Sequence, residues 1–325
     1  MKTDSLASAC YDCSHWGRIL LRGADRLRFL HNQSSNHLNL LKPGQGCDTV
    51  ILTSTARTLD LVTAWVRSDD ILLLVSPQRR EPLQKWLDKY IFFGDQVELQ
   101  DITPTTSCWR FLGTDCEQIF RNLGLDLSDL QQLGDHRQYH IADCPVEISF
   151  GSGLALPGLT LTVPIEYRLP VMAQIKLAQP ELMELSETDW EHLRILQGRP
   201  AVDAELTEDY NPLEARLDYT ISLDKGCYIG QETIARLNTY QGVKQQLWGL
   251  ALTDDVEPGT PLRLEGTKVG VLTSCTSLDH PLDHQSKAFG LGYIKTKAGG
   301  VGLQVEAGTT MGQVVDVPFL GAARA

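Results

Sequence analysis

Residues 225–232 of this 325-residue chain are Lys225-Gly226-Cys227-Tyr228-Ile229-Gly230-Gln231-Glu232, and the run Thr233-Ile234-Ala235-Arg236-Leu237 comes directly after them. Two glycines allow the backbone to form a tight loop around the cysteine, and the residues after the second glycine are good helix formers. The thiol is therefore predicted just before the N-terminus of a helix, where the helix dipole and Lys225 stabilise a thiolate. Spacing alone leaves two interpretations of Cys227: a nucleophilic or metal-binding thiol, or a small buried residue in a turn.

The same run resembles the K-G-C-Y-x-G-Q-E signature of the YgfZ family. That family is related to the glycine-cleavage T-protein and includes the mitochondrial assembly factors for iron–sulfur proteins. Residues 211–215 (NPLEA) resemble its N-P-x-E-A segment, and residues 198–200 (GRP) match the end of its preceding helix. Similar stretches at residues 23–30 and 269–274 extend the resemblance over nearly the whole chain.

This resemblance implies an α+β fold, a T-protein-like ring of two α+β subdomains plus a C-terminal antiparallel β-barrel. The expected boundaries are 1–243 for the folate-binding T-protein-like region and 244–325 for the barrel. Within the first region, one subdomain is expected to combine residues 1–45 with 150–243, and the other to comprise residues 46–149.

The residue pattern is compatible with that fold. Hydrophobic and β-branched runs predict strands near residues 19–22, 50–53, 59–67, 71–76, 97–100, 159–163 and 171–176. Amphipathic spacing predicts helices after residue 25, after residue 77 and near 115–123, and a capping box at residues 188–191 is expected to open another. After Gly242, short strands separated by Pro–Gly and Gly–Gly turns indicate the separate barrel.

The resemblance also implies that the ring encloses tetrahydrofolate or a derivative. Asp101, at the end of a predicted strand, lies where the T-protein aspartate is expected, but the adjacent Ile-Thr-Pro is equally typical of a turn that Asp101 caps. Leu196 occupies the place of a T-protein glutamate that holds the pterin, and leucine offers no acceptor for the pterin N–H groups.

Other folate-binding candidates lie in and after the cysteine loop. Gln231 and Glu232 could supply the missing acceptors, or could be solvated residues of a first helical turn. Arg236 could bind the carboxylates of a folate tail, or form an ordinary surface ion pair. Tyr228 completes the set, with Gly226 and Gly230 as backbone elements of the motif.

Composition narrows the class of protein. The formal net charge is −12 and the pI about 5.1, so direct nucleic-acid binding is not expected. No apolar run is long enough to span a membrane and no secretion signal is evident, and the eight scattered cysteines suit reduced thiols in the cytoplasm. Cys10-x-x-Cys13 with His15, and Cys275 with His280 and His284, are incomplete as ligand sets, so no metal site is predicted.

Three functions remain open from the sequence. The first is a tetrahydrofolate-binding protein that assembles or repairs iron–sulfur client proteins through Cys227, with Lys225 as its partner. The second is a folate-dependent aminomethyltransferase of one-carbon metabolism, and the third is a non-catalytic scaffold that binds client proteins. The cysteine signature and Leu196 favour the first, but the sequence leaves open whether a chemical step occurs.

Overall fold

The computed structural model describes residues 6–240, 242–278 and 286–318. These residues form six α-helices: α1 Arg26–Gln33, α2 Arg80–Asp88, α3 Cys116–Asn122, α4 Arg168–Ala178, α5 Glu187–Leu196 and α6 Gln231–Thr239. None of the helices in the described ranges is long and apolar enough to cross a membrane.

The described residues also form seventeen strands: β1 Ala9–Asp12, β2 Gly17–Arg22, β3 Gln45–Leu52, β4 Thr58–Val66, β5 Asp70–Val75, β6 Glu98–Asp101, β7 Thr106–Leu112, β8 His136–Ile141, β9 Cys144–Phe150, β10 Gly158–Pro164, β11 Met183–Leu185, β12 Gln245–Leu252, β13 Pro261–Leu264, β14 Thr267–Ser277, β15 Ala288–Lys295, β16 Gln304–Ala307 and β17 Thr310–Val315. They group into a five-stranded sheet in the order β3-β4-β5-β2-β6, a six-stranded sheet in the order β11-β1-β7-β10-β9-β8, and a closed barrel.

The two sheets pack face to face around a shared apolar core. Trp65, Leu72 and Leu74 reach it from the five-stranded sheet, and Tyr11 and Leu112 from the six-stranded sheet. Helices α1 and α2 cover the outer face of the first sheet, and α3 and α4 cover that of the second. Each sheet is thus buried on both faces, which explains its long apolar runs.

The barrel closes through antiparallel pairs in the order β12-β15-β14-β13-β16-β17, with β17 returning to β12. Its inward-facing side chains, including Leu250, Leu272 and Val305, form a core of their own. Two α+β units and a closed antiparallel barrel confirm the predicted fold class. Full closure leaves the barrel without a free sheet edge.

The sheets divide the chain differently from the expected subdomain boundaries. Strand β2 comes only four residues after β1, yet it pairs with β5 and β6 while β1 pairs with β7 and β11. Residues 17–101 therefore build the five-stranded unit, and residues 6–16 together with 103–196 build the other. Strand pairing between distant segments, rather than local composition, determines this division.

Two local predictions are corrected. Residues 171–176 lie in helix α4 instead of a strand, because Val171 and Ile175, four residues apart, bury one helical face. The capping box of α5 begins at Ser186: its side chain accepts the Asp189 N–H, and the Asp189 side chain accepts the Ser186 N–H.

Candidate functional site

The cysteine loop is shaped by the glycine that ends it. Gly230 is the N-cap of α6 with φ +78°, and a Cβ at this position would approach the Thr53 carbonyl oxygen to 2.8 Å and Ala56 Cα to 3.0 Å. Only glycine fits both the left-handed backbone and this close approach. The loop therefore passes against the turn between β3 and β4, and Cys227, three residues earlier, is exposed.

Lys225 anchors this loop to the end of helix α1. Its ammonium donates to the carbonyl oxygens of His31, Ser34 and Asn36 at 2.5, 2.7 and 2.7 Å, and the Ile229 N–H donates to the Asn32 carbonyl at 2.9 Å. An ammonium has three donors, so all three are used. No N–H of Lys225 is therefore left to donate to the Cys227 thiol.

The surroundings of Lys225 include a second thiol. Burial lowers the pKa of Lys225 to about 7, and the thiol of Cys47 on β3, close enough to interact electrostatically, opposes that shift. The Tyr228 ring lies 4.6 Å from the ammonium, and burial raises the pKa of Tyr228 to about 12. Tyr228 is half-buried against the core between the sheet and the barrel, so it supports the loop.

The polar residues of α6 lie outside the interior of the fold. The Gln231 side-chain oxygen accepts the Tyr228 N–H at 3.0 Å and closes the loop locally. Glu232 and Arg236 are both exposed. The structure therefore brings Lys225 to Gln231 together as a compact loop, but it places Glu232 and Arg236 at the surface.

Asp101 is not part of this group. It lies on β6, the edge of the five-stranded sheet opposite to β3, against which the cysteine loop packs. Its carboxylate accepts the Thr103 N–H at 2.9 Å and pairs with Arg80 at 3.2 Å. Asp101 therefore caps the turn after β6, as its alternative interpretation predicted.

A second group of polar side chains is buried in the interior of the fold. It comprises side chains from three parts of the chain: Asp48 and Asp60 on β3 and β4, Arg110 on β7, Arg199 after α5, and Tyr219. Asp48 accepts hydrogen bonds from Thr63 at 2.6 Å and from the Tyr219 hydroxyl at 3.2 Å. The segment that leads into the cysteine loop is thus tied to the interior.

Asp60 is the most unusual member of this cluster. It is fully buried, and its Oδ2 accepts the Ser76 N–H at 3.0 Å, while its Oδ1 has no hydrogen-bond partner among the described residues. Burial raises the pKa of Asp60 to about 6, against the lowering effects of the Ser76 hydrogen bonds and of Arg199 and Arg79. A buried acceptor left open is costly unless a ligand or water satisfies it.

Two guanidinium groups face the same region. Arg110 lies 4.6 Å and Arg199 5.3 Å from the ring of Trp16, and they donate to the carbonyl oxygens of Ser152 and Gly153. Burial, and after it the charge of Arg110, lowers the pKa of Arg199 to about 10. The centre of the molecule is thus cationic and aromatic, although the whole chain is acidic.

A small cavity remains beside this cluster. It measures about 20 Å³ and is lined by Asp48, Thr63 and Trp65 from one sheet and by Arg110 and Thr160 from the other, among others. The volume suffices for about one water molecule.

The sequence contains signals for these residues. Asp60 is the one charged residue of the strand TLDLVTAWV, and Arg110 is likewise the one charged residue of TSCWRFL. A charged side chain within an apolar strand that is buried on both faces indicates a functional or structural site. Only the packing of the sheets shows that the charges of both act on Arg199.

The two cysteines near the N-terminus, considered as metal ligands, do not face each other in the fold. Cys10 and Cys13 point to opposite faces of their sheet, Cys10 towards α3 and α4 and Cys13 towards the core between the sheets. His280 and His284 lie outside the described residues. Within the described residues, no three His, Cys, Asp or Glu side chains are arranged to hold a metal ion.

The chain is similar to known proteins in sequence. Residues 5–225 match the family model of the GCVT N-terminal domain. A protein from Arabidopsis thaliana, named only as a chloroplastic transferase, is 43% identical over 310 residues, which is 95% of this chain and 70% of that protein. An aminomethyltransferase from Thermoanaerobacter pseudethanolicus is 27% identical over 308 residues, covering 92% of this chain and 82% of the relative.

A solved structure shares the whole fold. The crystal structure of glycine cleavage system aminomethyltransferase T from Bartonella henselae superposes with a TM-score of 0.80 at 18% identity, over 95% of this chain and 85% of that one. The three-part arrangement is therefore the T-protein-like fold that the sequence predicted.

Proposed function

Because the chain belongs to the family of the GCVT N-terminal domain, we propose that it binds a reduced folate between its two sheets and acts in the assembly or repair of iron–sulfur proteins through Cys227. The observation that carries the folate proposal is the buried, unpartnered carboxylate oxygen of Asp60 beside Arg199. Tetrahydrofolate, when bound, supplies nitrogen atoms that carry a one-carbon unit. The protein supplies acceptors, cations and an enclosed site.

The residues present fit a pterin in chemical terms. A pterin offers amino and ring N–H donors and needs acceptors for them. Asp60 Oδ1 and Gln197 Oε1 are both buried and have no partner in the described part of the chain. Gln197 comes directly after Leu196, so a neutral acceptor lies next to the position where an acidic one was expected. Arg110 and Arg199 are suited to bind carboxylate groups.

The space between the sheets must increase on binding. The cavity beside Asp48 and Arg110 measures about 20 Å³, whereas ligand sites for small molecules have roughly 300 Å³ or more. Residues 151–157 connect β9 to β10 beside Arg110, and Gly153 in this loop has φ +77°. We expect this loop to move, and hydrogen exchange of its amides to change when a folate binds.

The proposed role of Cys227 rests on its position. The thiol is exposed on a loop held by Lys225, so a macromolecule can reach it without opening the fold. One thiol does not hold an iron–sulfur cluster, which normally takes about four cysteines. We therefore propose that the isolated protein carries no stable cluster and that Cys227 acts on iron–sulfur client proteins. The proposed compartment is the cytoplasm.

An aminomethyltransferase activity is the second candidate, because relatives at 26–27% identity carry that name. Leu196 in place of the expected glutamate argues against it. Transfer of the one-carbon unit from a lipoyl carrier bearing an aminomethyl group to tetrahydrofolate would establish this activity. Absence of that transfer from a folate-binding protein would favour the maintenance role.

Calorimetric titration with a tetrahydrofolate derivative tests the folate proposal. We expect binding to the intact chain, a loss of at least about tenfold in affinity for Asp60→Asn, and no change for Asp101→Asn, the matched control on the far edge of the sheet. If millimolar ligand produced no heat and no thermal shift, folate binding would be refuted and the scaffold function would remain.

Complementation tests the proposed role of the cysteine. Cys227→Ala should keep the fold, since the exposed thiol makes little contact, but should not restore iron–sulfur enzyme activity in a strain that lacks the endogenous factor. Cys275→Ala on the barrel is the control and should restore it. Full rescue by Cys227→Ala would show that the thiol is dispensable.

A further inference from the structure

Two cysteines far apart in sequence face each other between the sheets. Strands β1 and β7 pair antiparallel with Asp12 opposite Trp109, so Cys13 comes next, opposite Cys108. The Cys13 N–H donates to the Cys108 carbonyl at 3.0 Å. Residues directly opposite each other across an antiparallel pair have Cα atoms about 4.5–5.5 Å apart, within the range of roughly 4.4–6.8 Å that a disulfide requires.

The side chains of this pair point into the same core. Both lie in the core between the sheets, with Cys13 1% and Cys108 2% exposed. Cys10 belongs to a different core, so it cannot compete for Cys13 without a change in the strand. The two sulfur atoms are therefore positioned to form a bond with each other.

Positive charge surrounds the pair. Arg18 is fully buried and donates only to backbone carbonyl and threonine hydroxyl oxygens, those of Ser14, Trp16, Thr103 and Thr106. Neither Arg18 nor Arg110 forms an ion pair with a carboxylate in the described ranges. The neighbouring Cys13 thiol lowers the pKa of Cys108, and both arginines add to this, while burial raises the pKa of Cys13. Cys108 is therefore the thiol of the pair that ionises more readily.

The pair sits where the chain crosses between the sheets. Cys13 lies between β1 and β2, and Cys108 comes after the return from β6 to β7. All of the five-stranded sheet, residues 17–101, lies between them in sequence. A covalent bond here would hold both crossings together at the base of that sheet.

We propose that Cys13 and Cys108 form an intramolecular disulfide when the protein encounters a hydroperoxide. The Cys108 thiolate attacks the terminal oxygen, the O–O bond breaks, and the released hydroxide or alkoxide takes up a proton. Cys13 sulfur then attacks the resulting sulfenic sulfur, and its OH leaves as water with the proton of Cys13. The two thiols together lose two electrons, and the hydroperoxide gains these two electrons. A small oxidant suits a pair so deeply buried.

The experiment treats the full chain with hydrogen peroxide, alkylates the remaining thiols after denaturation, and maps the peptides without reduction. We expect one cross-linked species joining the peptides of Cys13 and Cys108, lighter by two hydrogens. We also expect Tm to rise by about 5 °C or more, reversibly with dithiothreitol, because a long loop is closed.

Control variants keep the proposal falsifiable. Cys108→Ser should abolish the cross-link and the shift in Tm, whereas Cys116→Ser, at a buried thiol outside the pair, should abolish neither. The mapping uses the unaltered chain, so a variant that fails to fold does not affect the conclusion. A Cys10–Cys13 link, or full alkylation of Cys13 and Cys108 when Cys227 is already oxidised, would overturn the proposal.

Discussion

Replacing Asp60 by asparagine should stabilise the protein while weakening the proposed folate site. The carboxylate is fully buried, and burial raises its pKa from 3.8 to about 6. The folded state thus binds the proton more tightly than the unfolded state. Below pH 4 the group is neutral in both states and costs nothing, and as pH rises through 4 to 6 the folded protein loses stability because a buried charge develops.

The magnitude comes from that difference in pKa. At 1.36 kcal/mol for each unit, the cost of ionised Asp60 reaches about 3 kcal/mol at pH 8 and about half of that at pH 5. Asparagine mimics the neutral form and can still accept the Ser76 N–H. Asp60→Asn should therefore raise the unfolding free energy by about 3 kcal/mol at pH 8, with a smaller gain at pH 5.

Thermal unfolding of both proteins at pH 5 and pH 8, with Asp101→Asn as control, measures this effect. A gain of about 3 kcal/mol corresponds to a rise in Tm of roughly 5–10 °C. A variant less stable than the wild type by the same amount at both pH values would refute the reasoning, because it would show that Arg199 stabilises the carboxylate more than burial penalises it. A stability gain with unchanged folate affinity would separate the buried charge from ligand binding.

Three further predictions concern the cysteine loop. Lys225→Met should lower the unfolding free energy by about 1–3 kcal/mol, because three buried carbonyl oxygens lose their donor, whereas the exposed control Lys85→Met should change it little. Thermal unfolding of both would decide, and a fully stable Lys225→Met would return the lysine to a chemical role. Gly230→Ala should lower the unfolding free energy by about 2 kcal/mol, because position 230 has a left-handed backbone and a carbonyl oxygen lies close to it. Gly226→Ala, with open space around it, should leave the unfolding free energy nearly unchanged in the same assay. Pulsed alkylation read by mass spectrometry should modify Cys227 first, since five of the other seven thiols are buried, and equal rates for all would contradict its exposure.

The sequence alone determined those features that depend on near neighbours. The glycine-bounded loop around Cys227, the helix after it and the barrel after Gly242 are all indicated by local composition and short-range periodicity, and the structure contains each of them. The local sequence also indicates a turn cap at Asp101, as one of two interpretations. Local signals succeed here because glycine conformation, helix propensity and turn formation are set within a few residues.

Only the tertiary structure decided which distant residues meet. Asp60 and Arg110 lie fifty residues apart and on different sheets, yet the charges of both act on Arg199. Lys225 is predicted from the sequence as a partner of Cys227, and the fold adds that its ammonium donates to carbonyl oxygens of residues 31–36. The sequence pattern of a strand specifies which of its faces is apolar but not which strand pairs with it, because pairing depends on the register and packing of the whole sheet. The site and the facing pair of Cys13 and Cys108 are products of that pairing.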